Sequence, residues 1–234
     1  MPAAYHPMKL RQPLCFAAAM VAATYPASAG LISENYSFSG LGLPVADNGV
    51  PLPYGINLDG ISAIVSLTEV QISLNLTGNP AGTGWAGDMF VSLNHDFGSQ
   101  TAILLNQAGV NAGSPFGYGF DGWNVTFKDG AANGDVHLGQ PTGPATTLVG
   151  SWQPDGRTSP LDTARPAQLG VFDGSPGSGA WTLTVADLAP GGNMTLNGFT
   201  LTLTGVTAVP EPAALAVFAA LGLLGFALCR RARR

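Results

Sequence analysis

The chain has 234 residues, of which 46% are hydrophobic and only 10% charged, and its net charge is −5 at pH 7. This acidic balance argues against nucleic acid as a partner, because phosphate backbones attract lysine and arginine. The two cysteines lie at positions 15 and 229. The residues between them therefore offer no disulfide, zinc–thiolate site or cysteine nucleophile.

The N-terminal segment 1–29 has the composition of a signal peptide. Lys9 and Arg11 precede an apolar run, and a small-residue cleavage site ends at Ala29. We therefore expect a signal helix in this segment and cleavage by signal peptidase between Ala29 and Gly30. Met8 is an alternative start, because the sequence from Met8 onward forms a complete signal peptide by itself.

The body, 30–205, is strongly acidic. Removing the acidic and basic residues of the two ends leaves 13 of the 14 acids and three of the nine bases, Lys128, Arg157 and Arg165. The resulting net charge near −10 disfavours anionic lipid and nucleic acid and favours cations. About 180 residues suffice for a hydrophobic core without disulfides, which predicts a single domain.

Apolar and polar residues alternate in the body with the period of a β-strand. Such alternation places one set in the core and the intervening threonines toward water. The four clearest apolar sets are Val70/Ile72/Leu74/Leu76, Trp123/Val125/Phe127, Trp181/Leu183/Val185 and Phe199/Leu201/Leu203. Two more strands are predicted at Asp88 to Asn94 and Thr101 to Leu105, around a turn. Short strands between Gly-, Pro- and Asn-rich turns predict an all-β fold, an antiparallel, jelly-roll-like β-sandwich.

Several motifs of the body follow one another in the order found in the proprotein convertase P domain. They are Asp47 to Val50, Gly87 to Leu93, Ser151 to Gly156, Gly179 to Asp187 and Leu196 to Phe199. The segment Leu43 to Gly205 resembles this P domain, which implies a β-sandwich that stabilises a protease and does no chemistry itself. The sequence departs from the family at Asn94 to Gly98, where a Pro-Ser-Gly turn is usual.

Few residues of the body suggest catalysis or metal binding. His95, at a predicted hairpin tip, suits a metal ligand or proton relay, but we favour a simple turn. The loop Asp129 to Asp135 has the oxygens and glycines of a calcium loop, yet Ala131 and Gln140 stand where an EF-hand needs acidic ligands. Calcium therefore remains an alternative through a site built from separate loops. We predict no catalytic residue.

The C-terminal end combines a Pro-Glu-Pro motif, an apolar run and a cluster of arginines. Pro210, Glu211 and Pro212 close a linker over 206–212 that stays extended, because proline fixes φ and donates no backbone hydrogen bond. The run 213–229 would be about 25 Å long as a helix, the lower limit for a membrane span. It is predicted to be a transmembrane helix.

A basic cytoplasmic end, 230–234, follows this helix. Its arginines are expected to hold that end inside the cell, because guanidinium groups cross a bilayer at high cost. They are Arg230, Arg231, Arg233 and Arg234.

The order of motif, span and arginines resembles the PEP-CTERM sorting signal of Gram-negative bacteria. In that family a membrane enzyme, exosortase, recognises the tail and cleaves it near Pro-Glu-Pro. The resemblance implies an exported protein whose precursor is anchored in the inner membrane. The released protein is then expected at the cell surface or in the extracellular polymer.

Three functions are compatible with this sequence. The leading hypothesis is a non-enzymatic cell-surface or biofilm-matrix protein. The second is a carbohydrate-binding module for exopolysaccharide, with its site among Trp85, Trp123 and Trp152, whereas Trp181 is expected in the core. The third is a secreted hydrolase that uses His95 or His137 with nearby aspartates.

Overall fold

A computed structural model describes residues 29–47, 49–96, 99–142, 146–208, 221–222 and 231. The chain divides into two units, Ser28–Val209 and the two ends Met1–Ala27 with Pro210–Arg234. The predicted signal helix lies outside the described residues apart from Ala29. The predicted transmembrane helix lies outside them apart from Leu221 and Gly222, which are helical. Among the residues described, no helix has both the length and the apolar character needed to cross a membrane.

The described part of the first unit contains nine strands and three short 3-10 helices. The strands are β1 (Leu31–Val45), β2 (Leu52–Asn57), β3 (Ile64–Gly78), β4 (Met89–His95), β5 (Gln100–Asn106), β6 (Gly122–Phe127), β7 (Thr147–Trp152), β8 (Ala180–Asp187) and β9 (Met194–Thr207). The 3-10 helices are η1 (Ala86–Asp88), η2 (Val136–Leu138) and η3 (Leu169–Phe172). The predicted all-β fold is thus confirmed.

The strands form two sheets, with the orders β1-β9-β3-β6-β7 and β2-β8-β4-β5. The prediction of a wholly antiparallel arrangement is wrong at one ladder, because β6 and β7 pair in parallel from Gly122↔Thr147 to Phe127↔Trp152. Parallel strands need a long crossover, and the connection 128–146 supplies one. The alternation of residues within a strand carries no information on the direction of its partner.

The inward faces of both sheets contribute to one hydrophobic cluster. All residues of the four predicted apolar sets belong to it, and none is more than 4% exposed. These predictions are confirmed, including the burial of Trp181. Their strand neighbours are mainly serine, threonine and asparagine, which point to the opposite, solvated face as period-two alternation requires.

The predicted hairpin at residues 88–105 is also confirmed, as β4 and β5 pair antiparallel from Phe90↔Asn106 to His95↔Gln100. Asp96 begins the turn with a φ of 50°, a left-handed conformation that aspartate tolerates better than most residues. The strand, however, extends to His95. The His95 side chain consequently points into the core instead of standing at the tip.

Candidate functional site

The predicted processing sites lie at the ends of the body. Ala29 and Gly30 are exposed, and the Gly30 carbonyl accepts a hydrogen bond from the Thr207 amide over 3.0 Å. Cleavage between them would leave β1 intact, since that strand begins at Leu31. The motif Pro210, Glu211 and Pro212 lies outside the described residues, as do all the terminal arginines except Arg231, which is helical and exposed.

His95 is a core residue and is only 1% exposed. Its ring stacks on Trp181 with 4.2 Å between centroids, and Nε2 lies 2.9 Å from the Ser178 carbonyl oxygen. A nitrogen that donates to a carbonyl is not available to deprotonate a serine. In the described part of the chain, Nδ1 has no hydrogen-bond partner and is buried. The geometry therefore gives His95 neither an accessible metal-binding position nor the contacts of a catalytic base.

Both ring nitrogens of His137 face acceptors. Nδ1 lies 2.7 Å from Asp155 Oδ2, and Nε2 lies 3.1 Å from the Val110 carbonyl oxygen. Burial lowers the pKa of His137, and so does the charge of Arg157, but the hydrogen bond and charge of Asp155 and the hydrogen bond to Val110 raise it, and the net pKa is raised. An imidazolium that donates two hydrogen bonds satisfies this geometry. It has no free lone pair for catalysis or for a metal.

His137 belongs to a buried charge network, which consists of Asp135, His137, Asp155, Arg157 and Arg165. Arg157 Nη2 lies 2.6 Å from Asp135 Oδ2, and Nη1 lies 3.1 Å from Asp155 Oδ1. Arg165 donates to the Gln153 side chain over 3.1 Å and to the Pro154 carbonyl. The network joins the loop after β6 to the loop after β7.

The charge network makes the stability of the fold dependent on pH. Because the pKa of His137 is higher in the folded protein than the ordinary value of 6.5, the protonated ring contributes stability that is complete below pH 6.5. That contribution disappears as the pH rises through the folded pKa. We therefore expect the free energy of unfolding to fall as the pH rises above 6.5. Urea titrations of the full chain at several pH values would measure this. A His137→Phe variant should lose this slope, and an unchanged slope would contradict the assignment.

The carboxylates at the two ends of the loop Asp129 to Asp135 are engaged by other groups of the protein. Asp129 accepts the backbone amides of Leu169 and Gly170 at 3.2 and 2.6 Å and so caps η3. Asp135 instead binds Arg157 and accepts the His137 amide at the start of η2. The two carboxylates serve different partners, which leaves a site built from separate loops as the remaining alternative for calcium.

The three tryptophans predicted for carbohydrate binding do not form one surface. Trp123 is completely buried, so its prediction as an exposed residue was wrong. Trp85 is 39% exposed and donates through Nε1 to the Phe116 carbonyl over 2.7 Å. Trp152 is half-buried and donates to the Val149 carbonyl over 2.9 Å. No ring pair among the described residues joins two of these side chains.

A polar groove lies on the outer face of the five-stranded sheet, and its volume is about 450 Å³. Gly40 and Gly42, both with positive φ, border it where the β1–β9 register shifts. The side chains that line it are neutral hydroxyls and amides with three apolar neighbours. The polar ones are Ser37, Ser39, Ser73, Asn75, Asn124, Asn197 and Thr200. The polar residues that alternate with the apolar sets, such as Ser73, Asn75 and Asn124, are the signal in the sequence that could have indicated this groove.

An acidic cluster lies at the end of β8 and consists of Asp47, Asp88 and Asp187. Burial raises the pKa of Asp187, the hydrogen bond from the Ala189 amide lowers it, and the charges of Asp88 and Asp47 raise it, so that the resulting pKa is about 6. Burial also raises the pKa of Asp88, again with a contribution from Asp47. Sequence reasoning included these three residues in the P-domain motifs but gave them no role, because the three motifs are far apart in the chain.

Comparison with known proteins identifies the C-terminal motif. Residues 208–234 match the family described as "PEP-CTERM protein-sorting motif". This match confirms the predicted motif and suggests an exported protein sorted through exosortase. A search of curated proteins found no match.

Two solved structures are distantly similar to the chain. One is the serine protease of Aeromonas sobria in complex with its chaperone ORF2, with a TM-score of 0.44, 16% identity, and coverage of 76% of this chain and 28% of that chain. The other is the serine protease of Aeromonas sobria, with a TM-score of 0.42, 16% identity and coverages of 75% and 27%. The chain thus spans less than a third of that protease. Similarity at this level does not confirm the P-domain resemblance, which stays a prediction.

Proposed function

We propose that this chain is an exported, non-enzymatic protein that exosortase releases to the cell surface or the extracellular matrix. The observation that carries the proposal is the PEP-CTERM match at residues 208–234, directly after the last strand of the body. The absence of a catalytic role is supported by His137 and His95, whose ring nitrogens face acceptors or the core.

The proposed route has two processing steps. Signal peptidase cleaves between Ala29 and Gly30, an exposed site just before β1. The apolar run 213–229 then anchors the precursor in the inner membrane, with the arginines of 230–234 on the cytoplasmic side. Exosortase finally cleaves near Pro-Glu-Pro and frees the sandwich.

Replacing Pro210, Glu211 and Pro212 with alanines should block release but leave membrane insertion intact. Insertion depends on hydrophobicity and on the arginines, which the change does not touch. The parent protein should be released with Gly30 as its first residue, as intact mass and N-terminal sequencing would show. The triple variant should stay in the membrane fraction with its C-terminal tail attached.

A matched control is a double alanine variant of Val50 and Pro51, which are both exposed on the body. It should be released as efficiently as the parent. Efficient release of the triple variant would show that Pro-Glu-Pro is only a linker and is not needed for release. A parent that is never released would instead indicate a permanently tethered surface protein.

The polar groove supports a second candidate function, the binding of a neutral polysaccharide. Its lining combines amides, which donate and accept hydrogen bonds, with hydroxyls, and these groups match the hydroxyls of sugars. No charged side chain lines it, which favours a neutral polymer over an acidic one. This proposal moves the site from the tryptophans to the outer face of the sheet.

An Asn75→Ala/Asn124→Ala variant should weaken polysaccharide binding by roughly tenfold or more, because it removes two exposed amides from the groove. Affinity electrophoresis in gels that contain the producing organism's own polysaccharide would measure this. Asn133→Ala, an exposed residue outside the groove, is the matched control and should bind like the parent. Equal retardation of parent and double variant would exclude the groove as the site.

A further inference from the structure

Hydrogen bonds between main chains hold the three segments of the acidic cluster together. Asp187 ends β8 and pairs with Met89 in the β4–β8 ladder. The Leu188 amide donates to the Asp88 carbonyl over 2.9 Å, and the Gly49 amide donates to the Asp187 carbonyl over 3.3 Å. Three acidic residues from distant parts of the sequence are therefore fixed at one end of the four-stranded sheet.

Asp187 is the unusual member of this cluster, because it is only 1% exposed and one of its oxygens is unpaired. Oδ1 accepts the Ala189 amide over a long 3.4 Å. Oδ2 is buried and has no hydrogen-bond partner in the described part of the chain. A buried carboxylate oxygen without a partner is costly, and a bound cation would remove that cost by supplying the missing partner.

The unpaired oxygen lies near Gly192, in the loop that follows β8. A Cβ atom built on Gly192 would lie 3.4 Å from the Thr83 carbonyl oxygen, 3.5 Å from the Trp85 backbone nitrogen and 3.7 Å from Asp187 Oδ2. The adjacent Gly191 amide donates to the carboxylate of Asp47 over 3.2 Å. The carboxylates of Asp187 and Asp47 and the carbonyl of Thr83 thus lie beside the loop that follows β8, and such hard oxygen ligands suit calcium.

The basic side chains of the body are engaged elsewhere. In the described ranges from 29 to 208, the Lys and Arg residues are Lys128, Arg157 and Arg165. Lys128 Nζ lies 2.6 Å from Glu69, and both arginines belong to the charge network. Neutralisation of the acidic cluster therefore requires a cation from solution.

We propose that Asp187, together with Asp88 and Asp47, binds a divalent cation, and that calcium is the preferred ion. No three acidic, histidine or cysteine side chains in the described residues are already arranged as a metal site. Without an ion, like-charged carboxylates repel one another, so the ion draws them together on binding. Calcium accepts an irregular shell completed by backbone carbonyls and water, whereas magnesium demands near-ideal octahedral geometry.

Calcium titration of the full chain, purified in detergent and freed of metal with a chelator, tests this proposal. At a pH of about 7.5, where carboxylates are ionised, isothermal titration calorimetry should show one site with a dissociation constant of about 10⁻⁴ to 10⁻³ M, as in extracellular modules. Calcium should also raise the melting temperature, because it binds the folded state. Magnesium should bind more weakly.

Asp187→Asn should weaken calcium binding at least about tenfold and abolish the rise in melting temperature. Without calcium, this variant should melt at or above the parent's temperature, since it removes an uncompensated buried charge. Asp47→Asn, at an exposed position, gives a second test that does not disturb the core and should also weaken binding.

Asp173→Asn is the matched control. Asp173, Glu69 and Asp129 line a separate acidic cavity of about 230 Å³, but none of their side-chain oxygens is among the buried, unpaired atoms of the described residues. This variant should bind calcium like the parent. The proposal is overturned if about 10 mM calcium gives neither heat nor a melting shift, or if Asp187→Asn and Asp47→Asn bind like the parent. Loss of binding in Asp173→Asn alone would place the ion in the other cavity.

Discussion

Replacing Trp181 with alanine is expected to lower the free energy of unfolding by about 3 to 5 kcal/mol, as large aromatic truncations in cores do. The Trp181 ring is completely buried in the four-stranded sheet. It stacks on His95 and packs edge-on against Phe172, with centroids 5.1 Å apart. Its Nε1 donates to the Gly177 carbonyl over 3.0 Å. The change would therefore leave a cavity and an unsatisfied carbonyl.

Urea unfolding of the full chain would measure this loss, and Trp85→Ala is the matched control. Trp85 also donates one hydrogen bond, but it is partly exposed. Trp85→Ala should therefore lower the free energy of unfolding clearly less than Trp181→Ala. Trp181→Phe should fall between the parent and Trp181→Ala, because it keeps an aromatic ring but loses the hydrogen bond and part of the packed volume. Equal losses for Trp181→Ala and Trp85→Ala would contradict the buried position of Trp181.

Replacing Asp155 with alanine is also expected to lower the free energy of unfolding by about 3 to 5 kcal/mol. This is the typical cost of removing one partner from a buried ion pair. The Asp155 carboxylate is 0% exposed and accepts from His137 Nδ1, Arg157 Nη1 and the Arg157 amide. Its loss leaves His137 and Arg157 close together with only Asp135 to compensate them. The free energy of unfolding from urea titration would check this.

Two controls distinguish the contribution of the charge network from the effect that any substitution has on stability. Asp59→Ala, in an exposed turn, should change the free energy of unfolding by no more than about 0.5 kcal/mol. Combining Asp155→Ala with His137→Phe should cost less than the sum of the two single changes, because the uncompensated imidazolium is removed. Additive losses would show that the two side chains are not coupled.

The sequence by itself predicted the C-terminal motif and six of the nine strands in the described residues, whereas β1, β2 and β7 were not predicted. The apolar sets that begin at Val70, Trp123, Trp181 and Phe199 are buried as predicted, because period-two alternation is a local property that any half-buried strand must show. The hairpin at 88–105 was predicted from its strands and turn residues. The PEP-CTERM motif was predicted from residue order alone, since its signal lies in one contiguous segment.

Tertiary structure alone decided which elements meet beyond that hairpin. The parallel β6–β7 pair depends on a crossover that no local pattern encodes, and one extra strand residue turned His95 from the hairpin tip into the core. Trp123 was proposed as an exposed binding residue although its own alternating set placed it inside, and packing between the sheets buried it. The pairing of His137 with Asp155, and the convergence of Asp47, Asp88 and Asp187, are contacts between distant segments. A single sequence does not specify such contacts, because they arise only when the sheets pack and bring the ends of their strands together.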